Sequence, residues 1–522
     1  MDPVADRPGI DLTAEDLEQI DRRGIAPEEI RRQWTLLRAP PPPAPLDRPC
    51  TVGDGILALT PEAQDERIAL FEPTAAAGRW SKLVPASGAA SRMFRFLLHH
   101  LEEGQEPDPA VLAFCSRLQD FAFWPTLANG AQQRLESWQR RRAFGELLRY
   151  LLLQEEGAEG LGLGERPKGL LPFHHDPAGG EPHTPVAEHL LEAAHLVRDQ
   201  SGLCSVLFTV SPESLPAFEA HVEAVQAPLE ATRGVRFRIR LSPQSPTTDT
   251  VALGSDGNLV RDEGGELLFR PGGHGALISN LEAMAREGAD LVLIKNIDNV
   301  QPEGSTALTL RWKKILGGTL VEVQTRAFAL LERLHAGGEG EAVVEEALLF
   351  LQETFGLDPA RLDGLPTDPV SRRAFAIEQL HRPLRVCGVV PNRGEPGGGP
   401  FWVHTASGIT PQIIEGAQID TADARQRAIL ATATHFNPVD LACGVRDFRG
   451  EPFDLARFVD PRGAFVAEKS YRGKQLRALE RPGLWNGAMA HWNTVFLEVP
   501  AATFTPVKTA LDLLRPEHQP RP

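Results

Sequence analysis

The stretch Phe269–Val300, FRPGGHGALISNLEAMAREGADLVLIKNIDNV, constrains the chain more than any other. Pro271-Gly272-Gly273-His274-Gly275 holds too much glycine for the interior of a strand or helix, so it forms a tight loop. Leu277, Ile278, Leu281 and Met284 then recur at helical spacing, which predicts a helix over 276–287. Leu291 to Ile294 is a continuous apolar run of the kind found in strands buried on both faces of a parallel sheet. That run stops at Lys295-Asn296-Ile297-Asp298-Asn299. Ligands of open α/β sheets bind just beyond the carboxyl ends of strands, so Asp298 stands where a carboxylate could hold a metal. Asp298 could equally do no more than cap a turn.

Loop, helix and strand in that order point to an α/β fold, and 522 residues give room for two to four domains. The net charge of −16 argues against nucleic acid or an anionic membrane surface as partner. No run approaches the ~20 apolar residues of a membrane span, and the acidic amino terminus has no signal-peptide core. Cys50, Cys115, Cys204, Cys387 and Cys443 are scattered and odd in number, which favours reduced thiols and a cytoplasmic protein.

A second strand-loop-helix junction lies upstream. Lys82 to Ala86 reads as a strand, and a helix is predicted from Met93 to about Leu101. Between them Ser87-Gly88-Ala89-Ala90-Ser91-Arg92 offers small side chains, backbone N–H groups at a helix start, and a fixed guanidinium. That geometry cradles phosphate, although many such turns bind nothing. Lys168, after Pro167, reads either as a phosphate ligand or as a solvated lysine. His99-His100 and His174-His175 do not read as metal sites, since adjacent histidines point apart. The region up to Gly78 is expected to be a helical lead-in, with the proline run of 39–45 as a stiff arm. Residues 413–419 are expected to continue as a polar-tipped strand, and Lys508 falls at a strand-to-helix turn.

Taken together these motifs resemble the UDP-sugar pyrophosphorylases, uridylyltransferases that join UTP to a sugar 1-phosphate. Ser87 to Met93 is similar to their glycine-rich nucleotide loop, with Ala89 and Ala90 where glycines are usual. Pro167-Lys168, Gln244, Pro271 to Gly275, and Asn296-Ile297-Asp298-Asn299 follow in the family's order, with Gly272 replacing a proline. Gly398-Gly399, Glu415, Asn437 and Phe504-Thr505-Pro506-Val507-Lys508-Thr509 complete the series. Over nearly its whole length the chain also resembles an uncharacterised bacterial family, domain of unknown function 4301, best over His435–Asp447 and Leu484–Leu514.

The resemblance implies a Rossmann-like, GT-A-type nucleotidyltransferase mixed sheet with a helical N-terminal region and helical insertions. It implies an N-terminal region over 1–78, core segments over 79–103, 166–300 and 384–515, insertions over 104–165 and 301–383, and a tail over 516–522. It implies Arg92, Lys168 and Lys508 as catalytic cations and Asp298 as the ligand of Mg²⁺. Ser87, Gly88, Ala89, Ala90, Gln244, Gly272, Gly273 and His274 would bind the nucleotide. Asn296, Gly398, Gly399, Glu415 and Asn437 would bind the sugar. The expected partners are a nucleoside triphosphate and a sugar 1-phosphate. A monomer is expected, because the family's β-helical C-terminal domain has no counterpart after Lys508. A glycosyltransferase of the same fold and a non-catalytic sugar-nucleotide-binding protein remain as alternatives.

Overall fold

Leu291 and Leu293 pack into one hydrophobic core while Val292 and Ile294 pack into another. This alternation is what a strand buried on both faces requires. In the computed structural model the strand Leu291–Lys295 is central to a ten-stranded mixed sheet. The structure describes residues 10–104, 106–154, 160–337, 340–394, 397–406, 408–471 and 474–520. Expectations for residues 1–9, Glu395-Pro396, 105, 155–159 and 521–522 fall outside these.

From one edge the sheet runs Thr51–Val52, Gly55–Leu57, Asn493–Glu498, Leu384–Pro391, Asp440–Gly444, Leu291–Lys295, Trp80–Pro85, Leu203–Val210 and Arg236–Pro243. His435–Phe436 adds a short pairing to Leu384–Pro391. Asp440–Gly444 runs antiparallel to both its neighbours, so the longer strands on either side of it point the same way. Their carboxyl ends share one rim.

The thirty-residue helix Ala307–Ala336 covers one face, burying Ile315, Leu316, Leu320 and Leu331. The helix Leu277–Arg286 covers the other with Leu277, Leu281 and Met284. Helices Arg95–Glu103, Pro109–Ser116, Asn129–Arg141 and Phe144–Leu152 form a separate cluster with its own core, into which Val507, Ala510 and Leu513 return. Two smaller sheets flank the large one. One pairs Leu46–Pro49, Gly398–Thr405 and Gly408–Glu415; the other contains Thr250–Gly254, Phe269–Arg270, Phe465–Tyr471 and Lys474–Glu480.

The structure departs from the sequence reading in particular places. The lead-in before residue 78 is not only helical, because Leu46–Pro49, Thr51–Val52 and Gly55–Leu57 are strands inserted into two sheets. Residues 413–419 do not continue as one strand. The strand ends at Glu415, and Gly416–Gln418 turns through a 3-10 helix closed by a reciprocal Glu415–Gln418 capping box. The helix after the small-residue loop begins at Arg95 rather than Met93, behind a 3-10 turn at Ala90–Arg92. Among the described residues no helix is long and apolar enough to cross a membrane. All five cysteines are free and buried.

Candidate active site

Two single bridges between loops assemble the site. Ala89 pairs with Pro167, and the Lys168 N–H donates to the Gly88 carbonyl at 3.1 Å. This seats Lys168 beside the loop that follows Trp80–Pro85. Asn299 pairs with Pro506, and the Val507 N–H donates to the Asp298 carbonyl at 3.0 Å. Asn299 Oδ1 also accepts from the Thr505 N–H at 3.1 Å. Lys508 is thereby held against the turn after Leu291–Lys295, and that turn is tied back by Ile297 N–H donating to the Pro85 carbonyl at 3.2 Å.

Both ammonium groups reach the same carboxylate oxygen. Lys168 Nζ lies 2.8 Å and Lys508 Nζ 3.0 Å from Asp298 Oδ2. Burial alone would raise the Asp298 carboxyl, but Lys168 and Lys508 outweigh it and hold the group below the usual carboxylate range. Burial also pushes Lys168 below the ordinary lysine value, against the pull of Asp298. Asp298 Oδ1 is buried without a hydrogen-bond partner. Among the described residues no group of three or more His, Cys, Asp or Glu side chains could hold a metal ion. A cation here would therefore have fewer than three such protein ligands, Asp298 among them. That arrangement suits Mg²⁺, which is commonly bound by one or two carboxylates together with substrate phosphates and water. Lys508 forms the outer wall, with its side chain 53% exposed.

A second cluster involves the glycine loop. Gly273 has φ +74°, and a Cβ there would come within 2.3 Å of Glu480 Oε2. At Gly275 a Cβ would meet the Pro482 carbonyl at 2.1 Å, so the loop lies directly on the 480–485 segment. His274 stacks on Trp485 with ring centroids 4.0 Å apart. The Leu484 N–H donates to His274 Nδ1 at 3.0 Å. In the neutral ring Nε2 then carries the proton, and it faces Glu415 Oε1 at 3.3 Å. Burial would raise the Glu415 carboxyl, but contacts with His274 and Trp485 bring it below the usual range. Glu415 and Gly399 line a cavity of about 400 Å³ together with Phe401, Ile414, Leu430 and Phe436. Phe436 packs against Phe504, ring centroids 5.1 Å apart, which ties this cavity to the segment that carries Lys508.

The remaining expected residues lie on the same rim but in other roles. Gln244 follows Arg236–Pro243 and donates to Thr248 Oγ1 at 3.2 Å. It stands three strands from Asp298, roughly 14 Å at the usual strand spacing. Ser87, Gly88 and Ala89 are exposed, but the Ala90 N–H already donates to the Arg166 carbonyl at 3.1 Å and is not free for a ligand. Arg92 is exposed and makes no ion pair among the described residues. A Cβ on Gly272 would meet the Thr248 carbonyl at 2.5 Å. The Asn296 carbonyl accepts from His189 Nε2 at 3.1 Å. The Asn437 amide is engaged by the backbone, donating to Gly388 O at 3.0 Å and accepting from Val439 N–H at 2.9 Å. It closes the turn in which Val439 takes φ +60°. The Asn437 N–H also donates to the Gly398 carbonyl at 2.8 Å, and Gly398 pairs with Glu415.

The sequence reading missed the charges beneath the turn. Lys295 Nζ lies 2.6 Å from Glu192 Oε2, Lys82 Nζ lies 2.8 Å from Glu192 Oε1, and Lys313 pairs with Asp440. All five side chains are buried. Burial, reinforced by Lys295 and Lys313, pushes Lys82 down to about 8 even though Glu192 pulls the other way. The signal was present: Lys82 and Lys295 each stand inside or at the end of an apolar strand run, where a lysine needs a partner. His174 is likewise engaged internally, by Glu188 at 2.8 Å and His518 at 2.9 Å.

A sequence profile of one family, described as domain of unknown function (DUF4301), matches residues 13–519. No curated protein matches the chain by sequence. Among solved structures, the UDP-glucose phosphorylase from Trypanosoma brucei is similar at 13% identity with a TM-score of 0.47, covering 96% of this chain and 77% of that one. The uridine diphosphate N-acetylglucosamine pyrophosphorylase from Trypanosoma brucei gives 12% identity and 0.42, covering 93% and 74%. The UDP-glucose pyrophosphorylase from Leishmania major gives 12% and 0.43, covering 97% and 79%. At these values the likeness does not assign an activity.

Proposed function

The chain belongs to the family described as domain of unknown function (DUF4301), and from the chemistry of its sheet rim we propose that it is a nucleotidyltransferase joining a nucleoside triphosphate, UTP first among them, to a sugar 1-phosphate. One observation carries this reading. Two lysines far apart in the chain meet one carboxylate, 2.8 and 3.0 Å away, whose second oxygen is buried without a partner. The order of the loop, Pro-Lys, glycine-histidine, Asn-x-Asp-Asn and Pro-Val-Lys-Thr motifs supports it independently.

In this reaction a phosphate oxygen of the sugar 1-phosphate attacks the α-phosphorus of the triphosphate. The Pα–O bond to the β-phosphate breaks, and pyrophosphate leaves with the electron pair. The nucleophile is already anionic, so no protein base is required. The protein's task is to align two polyanions and to stabilise charge in the transition state. Lys168 is fixed by its buried contact with Asp298, whereas exposed Lys508 can follow the substrate phosphates. Asp298 Oδ1 would hold Mg²⁺, which when bound would neutralise phosphate oxygens. The loop of 87–89 and the Gly272–Gly273 backbone would border the nucleotide, with Gln244 toward the base. Glu415, positioned by His274, would accept hydrogen bonds from sugar hydroxyls in the adjoining cavity. Arg92 and Asn296 remain candidates for outer contacts to phosphate and sugar.

The test is a pyrophosphate-release screen of nucleoside triphosphates against sugar 1-phosphates, with and without Mg²⁺, with nucleoside diphosphate release measured in parallel. Pyrophosphate release that depends on both substrates is expected. Release of nucleoside diphosphate alone would assign a glycosyltransferase instead. Stabilisation by UTP with no turnover for any sugar would assign a binding protein.

A further inference from the structure

A cavity of about 670 Å³ is lined by none of the residues above that were expected to bind nucleotide, metal or sugar. It reaches Arg382, Asn493 and Thr494, at the amino ends of Leu384–Pro391 and Asn493–Glu498. The candidate active site lies at the carboxyl ends of those strands, roughly 20 Å away along the strand direction. The cavity extends beneath Gly408–Glu415 and meets the candidate sugar cavity at Ile414 and Ala417, which line both. Its size falls in the range of about 300–1,000 Å³ typical of small-molecule sites.

One end of the cavity is a pole of donors. Arg382 is half-buried, and among the described residues its Nε donates only to the Glu378 carbonyl, at 3.4 Å. Arg361 lies over the Phe375 ring and donates to Gln379 Oε1 at 3.4 Å. Neither arginine has a carboxylate in ion-pair contact among the described residues. Gln379 and Trp492 are each 4% exposed, and Gln379 Nε2 and Trp492 Nε1 are buried N–H donors without acceptors. Four donor-bearing side chains thus line one place, two of them cationic. Guanidinium carries five N–H donors in a planar fork that matches phosphate and carboxylate. The two acids on the wall do not answer this charge. Asp460 is held by Arg462 at 3.0 Å, and Glu468 faces Arg477 across the strand pair.

Part of the lining is apolar. Leu351 and Phe355 contribute to it, as do residues 40–45, proline except for Ala44. A proline segment can border a cavity without presenting unmet N–H donors, because proline has none. The arm expected from the sequence thus has a place: it forms part of the lining of this cavity, anchored by Ala44 N–H donating to the Gln418 carbonyl at 2.8 Å.

We propose that this cavity is a second ligand site, for a small anion with an apolar body, its phosphate or carboxylate seated between Arg361 and Arg382 and its body against Leu351, Phe355 and the proline arm. Isothermal titration of the full chain with phenyl phosphate tests it, with phenylacetate and inorganic phosphate alongside. Wild type and Lys508→Ala are expected to bind phenyl phosphate equally, and more tightly than inorganic phosphate. Arg382→Gln and Arg361→Gln are expected to bind at least tenfold more weakly with unchanged circular dichroism. Phenylacetate binding that is lost in the same variants identifies a carboxylate head group and supports the same site. If Arg382→Gln does not fold, Arg361→Gln decides, since that side chain is only partly buried on a short helix. Binding unchanged in the arginine variants, binding removed by Lys508→Ala, or no heat from folded wild type with either aromatic anion overturns the proposal.

Discussion

Two groups of lysines around carboxylates stand only a turn apart in the chain, one ending at Lys295 and the other at Asp298. The inner group, Lys82, Lys295 and Lys313 with Glu192 and Asp440, is sealed, with no member more than 7% exposed. The outer group, Lys168 and Lys508 with Asp298, keeps one flank open through Lys508. In the inner group each cation has a carboxylate of its own fold in reach, and His189 links it to the turn by donating to the Asn296 carbonyl. In the outer group two cations share one carboxylate oxygen and the other oxygen has nothing. The same residue types thus serve opposite ends. Closed on itself, such a cluster holds strands together; left open and short of partners, it keeps charge that the proposed reaction would spend on phosphate and metal.

The comparison breaks most visibly if stability and activity fail to separate. Glu192→Ala leaves Lys82 and Lys295 buried without their shared counter-ion, and breaking a buried pair in this way costs about 3–5 kcal/mol. A urea titration should show that loss in unfolding free energy, or no folded protein at all. A loss under about 1 kcal/mol would mean that the inner cluster is not what holds the turn. Lys508→Ala should behave in the reverse manner. Lys508 is half-exposed and its removal leaves Asp298 paired with buried Lys168, so its loss in unfolding free energy should be clearly smaller than that of Glu192→Ala. Removal of one transition-state charge partner typically costs about 10²–10³ in rate, and pyrophosphate release should fall by that factor. Near-normal turnover in this variant would remove Lys508 from the proposed chemistry.

The legible parts of the molecule were those in which local pattern and burial agree. Leu291–Lys295 and Trp80–Pro85 lie close to where their apolar runs place them, while the loops of 87–90 and 271–275 are irregular at their start and close in 3-10 helices at Ala90–Arg92 and His274–Ala276. The meeting of Lys168, Asp298 and Lys508 rested on motif order, since nothing in local spacing links residues 340 positions apart. Strand direction was not legible. Asp440–Gly444 runs antiparallel between two strands of common direction, and an apolar run reads alike either way. Nor were backbone partners legible. The Ala90 N–H looks free in sequence and is taken by Arg166, and the Asn437 amide looks like a ligand contact and closes a turn. The partners of the buried lysines were not legible, because an apolar run that holds Lys82 or Lys295 does not say which distant carboxylate meets it.

The smallest effect concerns pH and distinguishes a held carboxylate from an idle one. Asp298 has its folded value below the ordinary 3.8 because Lys168 and Lys508 outweigh burial. A carboxyl depressed on folding binds its proton less tightly in the native chain than in the unfolded one. Its contribution is therefore complete above the unfolded value and declines as pH falls through the native value. Asp298→Asn removes the charge at every pH. The difference in unfolding free energy between wild type and Asp298→Asn should then be constant from pH 7 to about pH 5 and shrink below about pH 4, as wild type comes to resemble the variant. It follows that Asp298 contributes no acidic limb to the pH–rate profile near neutrality, where it is already ionised. A stability difference that instead widened on acidification would mean that Asp298 is protonated more readily in the native chain. The two lysines would then not be holding it as an anion for a metal to use.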